Sequence, residues 1–302
     1  MPAATDARRL AIEWLTVILV VVASVVGLVL SAPIGSLVDR GAVNVVLFVL
    51  VFAAALTLPL RSVVELRSRA PRLLLVLAAS SVALPVLAWL AAHLVAPGPV
   101  RLGVITVGVA PAEIATVALT TLALGETADA AALLVASTLL AALASGPLLA
   151  LFAGGAELHT GDLVTTMVVV VVLPFVLGGV VRRWMSSRGE SLANGLATAS
   201  VVVLVALVAS QVTLDATLAR AGLALLVFIA ASAALGVALG HLTDRDDRSA
   251  VLLSVSMRDF AIAAGIAAAA FGPLAAAPLG IYGILVMIWG SIAATRARRS
   301  RA

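Results

Sequence analysis

In this chain of 302 residues, hydrophobic side chains make up 63% and charged ones 11%, against roughly 45–50% and about 25% in a soluble domain. So few charges cannot cover so much apolar surface in water, which excludes an ordinary soluble fold and leaves an all-α integral membrane protein. The lack of cysteine excludes disulfide frameworks and thiolate chemistry. The net charge of +4 forms no basic stripe with interleaved aromatics, so no nucleic-acid partner is expected.

A spanning helix needs about 20 mostly apolar residues. Cutting the chain at its charges and Gly/Pro clusters predicts ten such runs, near 12–31, 42–60, 72–95, 102–124, 129–152, 163–181, 193–212, 219–240, 249–271 and 278–295. Connections are short, so no soluble domain is inserted. The first run is longer than the ~7–15 apolar residues of a signal peptide and reads as a retained helix. All basic residues are arginine, and with the N-terminus inside they fall unevenly. Arg8, Arg9, Arg61, Arg67, Arg69, Arg72, Arg182, Arg183, Arg188, Arg245, Arg248, Arg296, Arg298, Arg299 and Arg301 lie inside, while Arg40, Arg101 and Arg220 lie outside. The positive-inside rule then places both termini in the cytoplasm, in the plasma (inner) membrane. His93, His159 and His241 are too scattered for a metal site, and no cofactor is expected.

A shift of 147 residues lays the first five runs over the last five, with 72–95 on 219–242 and 102–124 on 249–271. Five helices is an odd number, so repeats 12–152 and 163–295 have opposite orientation in the membrane, the inverted-repeat arrangement of secondary transporters. The fourth run contains Pro111 and Glu113; the ninth contains Ser254, Ser256, Met257, Arg258 and Asp259. Glu113 is twelve residues from Arg101 and from Gly125, about 18 Å along a helix. Under the shift Pro111 falls on Arg258 and Ala112 on Asp259. Charges at that depth are costly and mark pathways or partners inside the protein. Pro111 removes an N–H and disfavours helix at Ala110, so the fourth helix breaks there, with Gly103 and Gly108 allowing close approach. Broken ends are expected to leave backbone groups available to a substrate or ion. Pro85 and Pro174 read as ordinary kinks, and the Gly236/Gly240 pair as a helix-packing motif.

These residues resemble the bile acid:sodium symporter family in its bacterial ten-helix form, over essentially the whole length. In that family the fourth and ninth helices are discontinuous and cross at the transport site near the midplane. The fourth carries a Cys-Pro-Gly-Gly-type break and then Ser-Asn; the ninth carries Glu, then Gln-Asn four and five residues later. Here the stretches read Ala110-Pro111-Ala112-Glu113-Ile114-Ala115-Thr116-Val117 and Ser254-Val255-Ser256-Met257-Arg258-Asp259. Segments around Gly125-Glu126, 135–139 and 271–283 also fit. The Gly-Val-Ala-Pro opening is similar to the arsenite exporters as well, but those place a cysteine after the proline.

The resemblance implies substrate- and ion-binding roles for Pro111, Glu113, Thr116, Ser254, Ser256, Met257, Arg258 and Asp259, and two co-transported sodium ions. The departures speak against sodium. Val117, Ala130 and Leu134 supply no side-chain oxygen to one site, and Arg258 puts a guanidinium into the other, whereas a hard cation wants about six oxygens. The expected function is therefore alternating-access transport of a small organic anion across the bilayer, proton-coupled or sodium-independent. Arg258 would face the substrate's acid group, Asp259 would hold Arg258, and Glu113 would be the proton-linked acid. One alternative keeps sodium coupling, with sites built from backbone carbonyls. Another is an intramembrane enzyme using Glu113 and Asp259 as a carboxylate pair.

Overall fold

The structure, a computed structural model, describes residues 18–19, 21–57, 70–152, 165, 168–211 and 215–300. Arg8, Arg9, Arg61, Arg67, Arg69, Arg301 and His159 lie outside these residues, as do the starts of the first and sixth expected runs. The described chain is helical throughout. In order come α1 (Val21–Val29), α2 (Ser31–Asp39), α3 (Ala42–Thr57), α4 (Ala70–Ala92), α5 (Pro99–Val109), α6 (Ala115–Leu122) and α7 (Thr127–Phe152). A π turn (Val168–Val172) then leads into α8 (Leu173–Val181), followed by α9 (Ser187–Ala209), α10 (Ala216–Gly240), α11 (Arg248–Ser256), α12 (Phe260–Phe271) and α13 (Pro273–Arg299).

Among the described residues, five helices are long and apolar enough to cross a membrane, or six if the bent pair α1–α2 is one span. α3, α5 and α12 are apolar but shorter. The first connection is itself helical. Residues 32–39, left between the first and second expected runs, belong to α2, which turns by 94° from α1. Pro33 sits in the first turn of α2, where the missing N–H costs nothing. Pro174, a predicted kink, lies in the first turn of α8 directly after the π turn, where its missing N–H costs little.

Packing divides the helices by neighbour. α3 is flanked by α8 and α9, while α10 packs on α4 and α11, and α13 packs on α5 and α12. Glycines set the close approaches. A Cβ on Gly103 would stand 1.8 Å from the Ala275 carbonyl oxygen, and one on Gly108 would stand 2.7 Å from the Leu84 carbonyl oxygen. These contacts pack α5 closely between α13 and α4. Gly236 lies against Leu252 of α11, where an added Cβ would come within 3.0 Å of its backbone. That is the packing role expected of the motif.

Candidate functional site

Both interruptions fall where the deep charges are, and they touch. α5 ends at Ala110, whose ψ of 155° is extended, as the proline at 111 demands. The second break, at 257–259, contains neither Gly nor Pro. Its residues are held extended by partners instead. Ala112 and Arg258 form an antiparallel bridge. The Glu113 N–H donates to the Met257 carbonyl at 3.0 Å, and the Asp259 N–H donates to the Pro111 carbonyl at 2.9 Å. In a continuous helix the N–H groups of Arg258 and Asp259 would bond back four residues. The bridge supplies Asp259 with a replacement, and the Tyr282 hydroxyl accepts from the Arg258 N–H at 3.1 Å.

Several of the backbone N–H groups at the crossing are engaged by the protein itself. The Ala112 N–H donates to Ser137 Oγ at 3.0 Å, and Ser137 Oγ donates on to the Leu134 carbonyl. The Phe260 N–H donates to Glu113 Oε2 at 3.4 Å. Asp259 Oδ1 accepts from the N–H groups of Ala261 at 3.0 Å and Ile262 at 2.8 Å, an N-cap on α12. Thr116 Oγ1 donates to the Glu113 carbonyl at 2.7 Å and tightens the start of α6. An unpaired buried donor costs about 1–3 kcal/mol, which explains why the protein closes so many of them itself.

The geometry reassigns the charged residues. Successive residues of an extended segment point to opposite sides, so Arg258 and Asp259 diverge. Glu113 and Asp259 line a cavity of about 550 Å³ together with Phe260, Asn194, Thr198 and Met287. The Arg258 guanidinium does not line it. It lies on the opposite side of the bridge, buried, donating to the Ala110 carbonyl through Nη2 and to the Ser254 carbonyl at 3.5 Å through Nη1. Asp259 therefore caps a helix and makes no direct ion pair with Arg258, and Arg258 does not reach into the large cavity.

The remaining expected site residues support the crossing from behind. Ser256 Oγ accepts from Trp289 Nε1 at 2.9 Å, Met257 is fully buried against Gly290, and Ser254 is buried beneath Arg258. Of the positions proposed to have lost a sodium ligand, Ala130 and Leu134 are buried in α7, and the Leu134 carbonyl is taken by the hydroxyls of Ser137 and Thr138. Sequence reasoning missed Tyr282, the chain's one tyrosine and fully buried. A lone tyrosine at mid-helix was a usable signal. It also missed Asp129, expected at a membrane edge but fully buried in the first turn of α7.

The sodium bile acid symporter family matches residues 44–222, more than half of the chain. The chain belongs to this family. The match includes the first break, with Pro111, Glu113 and Thr116, and stops before the second. The chain is also similar to "Uncharacterized sodium-dependent transporter YocS" of Bacillus subtilis (strain 168), with 28% identity over 262 residues, 84% of this chain and 82% of that protein. Family and relative point to a transporter rather than an enzyme. Together with the apolar helices, membership makes this a multi-pass membrane protein that handles a small-molecule substrate in a lipid bilayer.

Proposed function

We propose that the chain is a secondary active transporter moving a small organic anion by alternating access around the two helix breaks. In this reading it has ten transmembrane helices in two inverted five-helix repeats, 12–152 and 163–295. The breaks cross near the midplane of the inner membrane, and both termini are cytoplasmic. The observation that carries the proposal is the placement of Glu113 and Asp259, at the meeting of two interrupted helices, on the wall of a 550 Å³ cavity that is otherwise mainly apolar. Interrupted helices facing a cavity are the usual form of transporter sites, and an apolar cavity with a few polar groups suits an amphipathic solute.

The electrostatics supply the coupling. Two carboxylates in a low-dielectric pocket repel an anion, so an anion enters when positive charge, as protons or monovalent cations, occupies that side. Each ligand then raises the affinity for the other by the same factor. Glu113 is taken as the carrier of that charge: Phe260 donates to its Oε2 at 3.4 Å and the N–H groups of Ile114 and Ala115 also bear on its carboxylate, while Asp259 Oδ1 accepts two shorter bonds. Among the described residues no basic side chain lines the cavity, which favours a second reading in which the solute carries its own positive charge and pairs directly with Glu113 and Asp259.

Proteoliposomes test both readings. A panel of small organic acids and amines is offered under an imposed pH gradient, with sodium inside and outside or replaced by choline. Saturable uphill uptake of an acid, dependent on proton or cation and lost to ion gradients in Glu113→Gln, supports the first reading. Uptake of amines alone supports the second. If no solute accumulates under any gradient, secondary transport is refuted.

A further inference from the structure

We propose that a cavity between the end of α10, the start of α11 and the last turns of α13 binds the phosphate of an anionic phospholipid headgroup. The cavity measures about 300 Å³ and shares no residue with the large one at the crossing. His241, Arg245 and Arg248 line it, together with Val237, Leu252 and Ala297. Among the described residues no carboxylate lines it. The inference does not rest on the transport reading.

The sequence makes this place a boundary. α10 is apolar over Ala216–Gly240, and the chain turns charged directly after it with Asp244, Arg245 and Arg248. α13 starts at Pro273 as an apolar helix and ends on Arg296, Arg298 and Arg299. Leu223, Leu226 and Val237 on α10, and Ile288 and Ile292 on α13, are exposed apolar side chains, which hydrocarbon covers in a bilayer. The cavity stands where these apolar faces give way to charge, at the depth of the headgroups. A lipid bound there keeps its chains against the two helices and its headgroup among the arginines.

Charge and shape select a phosphate. A guanidinium matches a pair of phosphate oxygens with two parallel, charge-assisted hydrogen bonds, and basic pockets between membrane helices suit anionic headgroups. α11 begins at Arg248 and no side chain caps it, so the N–H groups of its first turn add to the pull on an anion. The competing explanation is that the arginines only close neighbouring helix ends. However, the end of α10 closes itself: the N–H groups of His241, Leu242 and Thr243 donate back to the carbonyls of Val237, Leu239 and Gly240. At the end of α13, the Ser300 N–H and Oγ serve the carbonyls of Arg296 and Ala297. The Asp244 carboxylate is held by Arg72 at 2.5 Å. These groups are satisfied without Arg248, whose charge is left to face the cavity.

The test is thermal unfolding of the full chain in detergent at constant ionic strength, with phosphatidylglycerol, phosphatidylcholine or inorganic phosphate added. Phosphatidylglycerol should raise the midpoint saturably, as a ligand of the folded state does, while the other two at the same concentration should not. Each arginine facing an anionic lipid is worth about fivefold in affinity, so Arg245→Gln combined with Arg248→Gln should need roughly twentyfold more phosphatidylglycerol for the same shift. Arg183→Gln, outside the cavity, should respond as wild type does. Equal stabilisation by phosphatidylcholine would overturn the proposal, and so would equal stabilisation by inorganic phosphate, which would make the ligand a free anion. A double variant that responds like wild type, or like Arg183→Gln, would overturn it too. The chain has no cysteine, so a single introduced thiol locates the lipid even if the arginine variants fail to fold. A neutral maleimide should label Ala297→Cys, in the cavity wall, several times more slowly with phosphatidylglycerol than with phosphatidylcholine. Gly195→Cys, on α9 with open space around the added carbon, should label at one rate in both lipids. If the two sites are slowed alike, or neither is slowed, the lipid does not occupy this cavity and the proposal fails.

Discussion

Asp259 stands at the crossing both as a charge on the cavity wall and as the cap of α12, and two substitutions separate these roles. Asp259→Ala removes Oδ1, which accepts from the N–H groups of Ala261 and Ile262, in a residue 4% exposed. Losing an N-cap costs about 0.5–2 kcal/mol, and each buried donor left unpaired costs about 1–3 kcal/mol. These overlap, so the expected loss is about 2–4 kcal/mol. At about 2–4 °C per kcal/mol for a chain of this class, the unfolding midpoint should fall by roughly 5–12 °C. Asp259→Asn keeps an oxygen in the same place and caps nearly as well. It should stay within about 1 kcal/mol of wild type, the difference being the charge at the helix N-terminus. Intrinsic tryptophan fluorescence during heating reads both variants, because Trp289 donates to Ser256 one residue from the second break. Equal losses in the two variants, or an alanine variant as stable as wild type, would refute the capping argument. With stability accounted for, any loss of transport in Asp259→Asn belongs to the charge.

Two further predictions follow from packing and from charge placement. Gly103→Ala would put a Cβ 1.8 Å from the Ala275 carbonyl, where ordinary contact is 3.4–4 Å, so α5 and α13 must part. It should cost about 1–3 kcal/mol, whereas Gly280→Ala, with open space around the added carbon, should be neutral or stabilising by up to about 1 kcal/mol in the same thermal assay; equal effects would sink the reasoning. Reporter fusions at Arg69, Ser187 and the C-terminus should score cytoplasmic and one at Gly155 external, and a cytoplasmic signal at Gly155 would refute the ten-span topology.

Composition and periodicity alone determine that the chain is helical, that it lives in a bilayer, and where most helices lie. The reason is that apolar run length is read directly against hydrocarbon thickness. Pro111 likewise fixes the first break, since its ring acts on its own backbone and on Ala110 whatever surrounds them. The second break is different. The one local signal there is Asp259, an N-cap residue type; the extended shape of 257–259 otherwise depends on Pro111, Glu113 and Tyr282, more than a hundred and about twenty residues away. Side-chain direction was equally hidden. Sequence neighbours of opposite charge read as an ion pair, but in an extended bridge adjacent residues point apart, so Arg258 closes two helix ends while Asp259 caps a third. A charge at mid-membrane could be located by counting residues; its partner was decided by which carbonyls the breaks left open, and those exist only once the two halves have met.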